Sequence, residues 1–523
     1  MLHQFPFYLA ILLVIVFLVM LANKIKIAYP ILLVVAGLLI SFVPGIPRIH
    51  INPELIFIIF LPPLLYEAAW ATTWKELWRW RRIIGSFAFL IVFLTAFAVA
   101  LVSSKFIPGF TLALGFLLGG IVSPPDAVSA GAILKFVKIP KRLASILEGE
   151  SLLNDASSLI VFRFALVAVG TGQFVFEEAL ASFAWAVSGG AGIGLAIAFA
   201  FYKIHKLLPT DVNMDIVLSL VTPYVMYIAA ESAATSGVLS VVCGGLFLAQ
   251  RRHRFLSSTS RLRAVNVWES LVFILNGLVF MLIGLDLPEI TDGLEDVSVG
   301  TAVGYGVMIT IVLIVGRLLS AYGAIIFTQF AKRFITVADQ GHPGYRGPFL
   351  LGWAGMRGVV SLAAALSIPP YLADGTPFPQ RNHILFITFI VILLTLVIQG
   401  LTLPVFICRF NLKDSDHELS DEEEYLHLHR RLADDSLVYL QNKEVAGDAN
   451  QFAVGRMLKQ LEHTNTLLND EQLTRECREV YLHMLDVQRS WLKEWNREYT
   501  TNDDAVRKHL HRLDVEEEKI RFM

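Results

Sequence analysis

The stretch 148–162, Glu-Gly-Glu-Ser-Leu-Leu-Asn-Asp-Ala-Ser-Ser-Leu-Ile-Val-Phe, puts acids and amides inside sequence that is otherwise apolar for far longer than one helix. A helix starting near residue 143 carries Asp155 about 18 Å along its axis at ~1.5 Å per residue. That is near the middle of a hydrocarbon layer about 30 Å thick. Glu150, Ser151, Asn154 and Asp155 share one broad helical face. A lone charge at that depth costs several kcal/mol, so intramembrane acids face a polar cavity or a partner. A carboxylate with hydroxyl and carbonyl oxygens around it suits a hard monovalent cation, or a proton competing for the same charge.

Three other stretches bear polar groups at depth. Gly119-Gly120-Ile121-Val122-Ser123-Pro124-Pro125-Asp126 has two prolines in mid-span, which remove backbone donors and should interrupt the helix, with Asp126 at the break. Gly352-Trp353-Ala354-Gly355-Met356-Arg357-Gly358 suggests a second interruption, with Arg357 inside it. Glu67 follows Leu61-Pro62-Pro63-Leu64-Leu65-Tyr66 deep in an apolar run, and can serve either the site edge or a helix–helix hydrogen bond. Arg317 needs a buried acid. Arg163 should reach the outer interface and snorkel, and Asn276 should hydrogen-bond between helices. Gly190 and Gly194 form a GxxxG that calls for close helix packing.

The elements that position these groups follow from hydropathy. Of 523 residues, 55% are hydrophobic and 17% charged, against about a quarter charged in soluble domains. The net charge of −2 averages an apolar part to about 410 and a charge-rich part over 411–523, and says nothing about partners. The three cysteines (Cys243, Cys408, Cys477) form no disulfide or zinc pattern. Met1-Leu2-His3 lacks a basic leader, so the first helix is expected to stay. Thirteen spans are expected, at about 5–23, 28–45, 53–71, 83–104, 110–134, 143–170, 178–203, 213–231, 234–250, 266–286, 298–330, 348–370 and 382–408. Basic residues crowd into alternate loops, among them Lys75, Arg79, Arg81, Arg82 and Arg251, Arg252, Arg254, Arg261, Arg263. The other loops hold Arg48, Lys105 and Arg381. The positive-inside rule then puts the N-terminus outside and the tail in the cytoplasm, at a plasma or inner membrane. Trp70, Trp74, Trp78 and Trp80 fit an aromatic belt. Spans 1–6 set against 8–13 place the two broken spans, 5 and 12, in matching positions of inverted repeats, a pointer to a secondary transporter.

Together these residues resemble the monovalent cation/proton antiporters, in the branch that joins bacterial and archaeal sodium/proton antiporters with animal sodium/proton exchangers. Glu150-Ser151-Leu152-Leu153-Asn154-Asp155, Gly355-Met356-Arg357-Gly358 and the Leu61–Glu67 run carry the resemblance, which covers about 5–408. It implies an all-α polytopic protein of thirteen helices, a dimerisation part and a mobile core that moves as an elevator. Asp155 looks like the carboxylate that binds cation or proton, and Asn154 like the neutral neighbour of electroneutral members. Ser151 and Glu67 resemble further ligands. Glu150 resembles half of a buried ion bridge, with Arg317 as its partner, and Arg357 the arginine of the span-12 break. Relatives read Thr-Asp-Pro at the span-5 break where this chain reads Pro125-Asp126-Ala127. The threonine hydroxyl is missing, and the Pro125 carbonyl stands as a candidate ligand.

The expected activity is exchange of a cation, sodium first, for protons, one to one and electroneutral. A potassium/proton exchanger of the same fold and, more remotely, an intramembrane aspartyl protease using Asp126 and Asp155 are the alternatives. No cofactor is expected beyond the transported Na+ (or K+ or Li+) and H+. The expected partners are the lipid bilayer and a second copy of the chain, not nucleic acid. Apolar periodicity over 452–495 suggests amphipathic helices in the tail, whose role is read as regulatory or dimer-stabilising.

Overall fold

The computed structural model describes residues 5–43, 53–72, 74–134, 137, 139–172, 176–285, 287–292, 294, 298–331, 344–372 and 374–410, with short pieces at 434–436, 438, 482–492, 494, 513 and 515–517. The chain divides into two compact units, Met1–Asp414 and Ser415–Met523.

The first unit is built of helices. They are α1 Phe5–Ile25, α2 Tyr29–Ser41, α3 Pro53–Ala71, α4 Trp74–Gly85, α5 Val92–Phe106, α6 Leu112–Val122, α7 Ala127–Leu134, α8 Lys141–Thr171 and α9 Phe176–Leu207. There follow α10 Val212–Ser232, α11 Gly237–Phe255, α12 Ser258–Leu285, α13 Leu287–Asp292, α14 Val299–Ala331, α15 Arg346–Trp353, α16 Val359–Leu366, α17 Arg381–Leu394 and α18 Gly400–Phe410. A π-helical turn, Ser86–Ile91, joins α4 to α5, and another, Thr395–Gln399, joins α17 to α18. Among the described residues eight helical rods are long and apolar enough to cross a membrane.

Each of the thirteen apolar stretches holds a helix, a rod or an interrupted pair. Several differ from expectation in length: the ninth runs on to Phe255 and the tenth begins at Ser258. The second ends at Ser41, because Pro44 disfavours helix in the residue before it. The fourth begins at Trp74, since the Trp/Arg-rich segment expected as a loop is itself amphipathic helix.

Starts and stops obey local chemistry. Thr111, Asp211 and Ser236 cap α6, α10 and α11 by accepting a backbone N–H three residues on. Helix α8 follows Pro140 and ends at Gly172, whose φ of 69° is left-handed. Packing depends on small residues. Gly190 and Gly194 of α9 lie against the backbone of Ser236 and Ser240, as the GxxxG spacing requires. Gly37 and Gly284 bring α2 and α12 together so closely that a Cβ on either would enter the other's backbone.

In the tail unit, the expected 452–495 periodicity lies largely outside the described residues. Within it 482–492 is helical, and Arg489 bridges Glu517 at 2.5 Å.

The close α2–α12 contact yields a stability test. Gly284→Val should lower the thermal midpoint by an amount equivalent to about 1–3 kcal/mol of overpacking. Gly323→Ala, where a Cβ meets nothing within 4 Å, should leave it unchanged or slightly raised. Thermal unfolding of the purified protein followed by size-exclusion fluorescence checks both.

Candidate functional site: a crossing of two interrupted helices

Pro124 and Pro125 supply no N–H, so α6 stops at Val122 and the chain resumes helix only at Ala127. The second interruption, Ala354–Gly358, separates α15 from α16. The two breaks bind each other. The Asp126 N–H donates to the Met356 carbonyl at 2.7 Å. Arg357 reaches back, donating from Nε to the Val122 carbonyl at 2.8 Å and from Nη2 to the Ser123 carbonyl at 3.3 Å. It also bonds the Gly355 carbonyl. The guanidinium is wholly buried. It therefore serves the carbonyl end of α6, where the helix dipole is negative.

Asp126 does the converse. Its carboxylate accepts from the Ser129 hydroxyl at 2.6 Å and lies where a Cβ on Gly358 would be, against the first residues of α16. A negative group belongs at that end. Gly358 is required for the close approach.

Helix α8 runs beside this crossing. Gly120 packs on the Phe162 backbone, and Ile84 and Leu77 of α4 close over Gly149. Two carboxylates on α8 meet opposite fates. Glu150 receives both Arg317 terminal nitrogens, Nη1 at 2.7 Å and Nη2 at 2.9 Å, with both residues buried. Arg317 lies over Gly355, where a side chain would displace it. Asp155 is 7% exposed, yet its carboxylate makes no hydrogen bond or ion pair among the described residues. Beside it, Asn154 donates from Nδ2 to the Pro125 carbonyl at 3.2 Å, and its Oδ1 is buried without a partner among the described residues. Ser157 ties the same helix to the Ala88 carbonyl in the first π turn.

Of the site residues expected from sequence, the structure brings together Asp126, Pro125, Asn154 and Arg357 at the crossing, with Glu150 and Arg317 paired as expected. Ser151 and Glu67 are half-buried on α8 and α3, and both make interactions. Arg163 is exposed, and its Nη2 also bonds both Glu231 oxygens at 2.6 Å, a partner the sequence did not indicate, because that acid accepts from the Gly237 N–H at the α10–α11 turn within reach. Asn276 is buried, and its Oδ1 has no hydrogen-bond partner among the described residues. Trp80 leaves the aromatic belt: it is buried, donates to Glu76 at 3.0 Å and lies under the Arg142 guanidinium.

Three supporting groups escaped the sequence reading. Ser129, at i+3 from Asp126, carried a readable signal. Thr395, which accepts the Arg357 N–H at 3.2 Å from within the second π turn, carried none. Neither did the buried set His205, Asp215 and Ser260, joined at 2.9 and 2.8 Å away from the crossing.

The transmembrane sodium/hydrogen exchanger family matches residues 9–408. The chain belongs to the sodium/hydrogen exchanger family. A sodium, potassium, lithium and rubidium/proton antiporter of Bacillus subtilis is 38% identical over 387 residues, covering 72% of this chain and 57% of that protein. This exchanger-family chain thus spans little more than half the length of that relative. The low-affinity sodium/proton antiporter NhaS1 of Synechocystis is 32% identical over 509 residues, covering 94% of this chain and 87% of its own. Among solved structures, the sodium proton antiporter MjNhaP1 of Methanocaldococcus jannaschii superposes with a TM-score of 0.58 at 19% identity, covering 78% of this chain and 98% of that one. The likeness establishes the fold of an all-helical membrane protein.

The Glu150–Arg317 bridge makes a prediction of its own. Removing one partner strands a buried charge at a cost of about 3–5 kcal/mol. Glu150→Gln and Arg317→Met should each lower the thermal midpoint more than Asp155→Asn does, and the double variant should recover part of the loss. A double-mutant cycle by thermal unfolding measures the coupling; strict additivity would rule out the contact.

Proposed function

We propose that this family member exchanges a monovalent cation, sodium first, for protons at Asp155. The observation that carries the reading is the contrast on α8: Glu150 is neutralised by Arg317, whereas Asp155, buried five residues later, has no countercharge among the described residues. A bare carboxylate in a low-dielectric site is costly, so a proton or a cation must supply the missing charge. The two compete for one site. If the empty site is too costly to move, only loaded forms cross, which gives exchange instead of leak.

The supporting residues take roles by proximity. Asn154 Oδ1 is an unused buried acceptor, and the Pro125 carbonyl keeps a second lone pair beyond the Asn154 bond. Ser151 and Glu67 complete the proposed ligand set. Asp126 stays charged, compensating the N-terminus of α16, and Arg357 compensates the carbonyl end of α6. The mutual bonding of the two interruptions supports thirteen spans arranged as inverted repeats, with α6–α7 and α15–α16 as the equivalent broken pair. In this reading the core around them moves as an elevator within a homodimer, the N-terminus is outside and the tail is cytoplasmic. The breadth of cations named for the Bacillus relative keeps potassium and lithium as alternatives at the same site. Family membership removes the protease alternative.

The test uses the purified full chain in proteoliposomes carrying an internal pH dye, with Na+, K+ and Li+ added in turn. Each exchanged cation should release a proton flux. Asp155→Asn keeps the shape without the charge, and its flux should fall to background while the folded protein persists; robust flux in that variant would remove Asp155 from the mechanism. Asp155→Glu should retain partial activity with a changed apparent cation affinity.

Charge balance gives a further prediction. A cycle in which Asp155 carries one proton or one cation moves no net charge, so flux should ignore an imposed membrane potential. An imbalance of one charge would be worth about 2.3 kcal/mol per 100 mV, visible as a shifted equilibrium gradient. Voltage-dependent flux would mean that a second group, Asp126 first, releases a proton.

A further inference from the structure

Helix α4 has a composition that the exchange site does not use. Its first nine residues, Trp74-Lys75-Glu76-Leu77-Trp78-Arg79-Trp80-Arg81-Arg82, hold four cations against one acid. Lys75, Arg79, Arg81 and Arg82 are exposed, as are Trp74 and Trp78. The surface is already ordered. The Trp74 and Trp78 rings stack at 5.9 Å, and the Arg81 guanidinium lies 4.5 Å over Trp78 while donating to the Trp78 carbonyl at 2.6 Å.

Length places this surface. The rod Trp74–Phe106 has 33 residues, about 50 Å at ~1.5 Å per residue. Its apolar part, from Ile83 on, is about 36 Å long and spans a hydrocarbon layer of about 30 Å. The cationic end therefore lies in the headgroup layer, where the neighbouring anions are lipid phosphates. Tryptophan and arginine side by side match that layer, the rings at the glycerol level and the guanidinium groups on phosphate. Arginine already held by an aromatic face and a backbone carbonyl loses little freedom when it takes up an anion.

We infer that the exposed Lys75–Arg82 face of α4 is a docking surface for the headgroup phosphate of anionic phospholipid. The opposite, apolar face of the same helix closes through Leu77 and Ile84 on Gly149, next to Glu150. A bound headgroup is therefore one helix away from the ion bridge of α8.

The full chain in detergent is titrated with short-chain phosphatidylglycerol, short-chain phosphatidylcholine and inorganic phosphate, with binding read by thermophoresis and by the thermal midpoint. Phosphatidylglycerol should bind and raise the midpoint, and the other two should not. The exposed double variant Lys75→Gln with Arg81→Gln should weaken phosphatidylglycerol binding about five-fold for each charge removed, from roughly 1 kcal/mol per basic residue near an anionic surface. Equal affinity in both proteins, equal binding of phosphatidylcholine, or full competition by inorganic phosphate would overturn the assignment.

Discussion

The structure depends on the cost of an uncompensated charge in a place that water does not reach. At the crossing almost every ionic group has its answer built in. Arg357 faces the carbonyl end of α6, Asp126 faces the amide end of α16, and Glu150 and Arg317 face each other in a two-pronged bridge. These are three separate devices: two use backbone dipoles and one uses a side-chain pair. Against that background the Asp155 carboxylate stands out because nothing in the described protein answers it. On the proposed reading, the same rule that forces the other groups into pairs makes this one the place for a mobile ion.

The interruptions follow from this rule. A continuous helix at residues 119–134 would satisfy its own backbone and offer nothing at mid-depth. Two prolines and a run of glycines break the ladders, and exposed carbonyls and amides then need partners of their own. Arg357 and the Asp126 backbone meet that need across the chain. The flanking rods adapt through π-helical turns, forms that recur where a helix meets a functional site. Ser157 of α8 bonds the Ala88 carbonyl in one, and the Arg357 amide bonds Thr395 in the other. Glycines at 120, 149, 355 and 358 let these elements meet backbone to side chain. A methyl group at 355 or 358 would fall on Arg317 or Asp126, so the ion bridge and the dipole compensation both rest on missing side chains.

Legibility in the sequence tracked the strength of the local penalty. The helices were readable because twenty apolar residues in a row permit little else, and both breaks because proline and glycine act on their own backbone. The Glu150–Arg317 pair was expected from the family resemblance and by the argument that a buried arginine must find an acid. What escaped depended on side-chain direction. Nothing marks Trp80 as the buried one of four tryptophans, since the choice is made by the pitch of α4 against α8 and by Arg142. Arg163 was read as an end-of-helix cation, and its bond to Glu231 depends on the angle between α8 and α10. Thr395 and the His205–Asp215 pair lie in segments whose composition alone gives no signal, because one hydroxyl or imidazole in an apolar helix has many packing solutions.

The arrangement of fixed and variable charge also bears on coupling. On the proposed cycle, the other buried charges at the crossing carry their compensation with them: Glu150 with Arg317, Asp126 beside the start of α16, Arg357 with the carbonyls of α6. Their sum is constant whichever way the core faces. The one variable is the occupant of Asp155, and a carboxylate accepts one proton or one monovalent cation. One-to-one stoichiometry then needs no gate that counts ions. It follows from the number of unanswered carboxylates, and Asn154 matters because an amide there leaves that number at one. The cation's identity is a separate and weaker constraint. It depends on the spacing of neutral oxygens, such as the Pro125 carbonyl and Asn154 Oδ1, whose dipoles differ little in their preference among alkali ions. In the proposed cycle coupling is thus set by charge and selectivity only by geometry, so substitutions that move neutral oxygens should change which cation is carried while leaving the exchange itself intact.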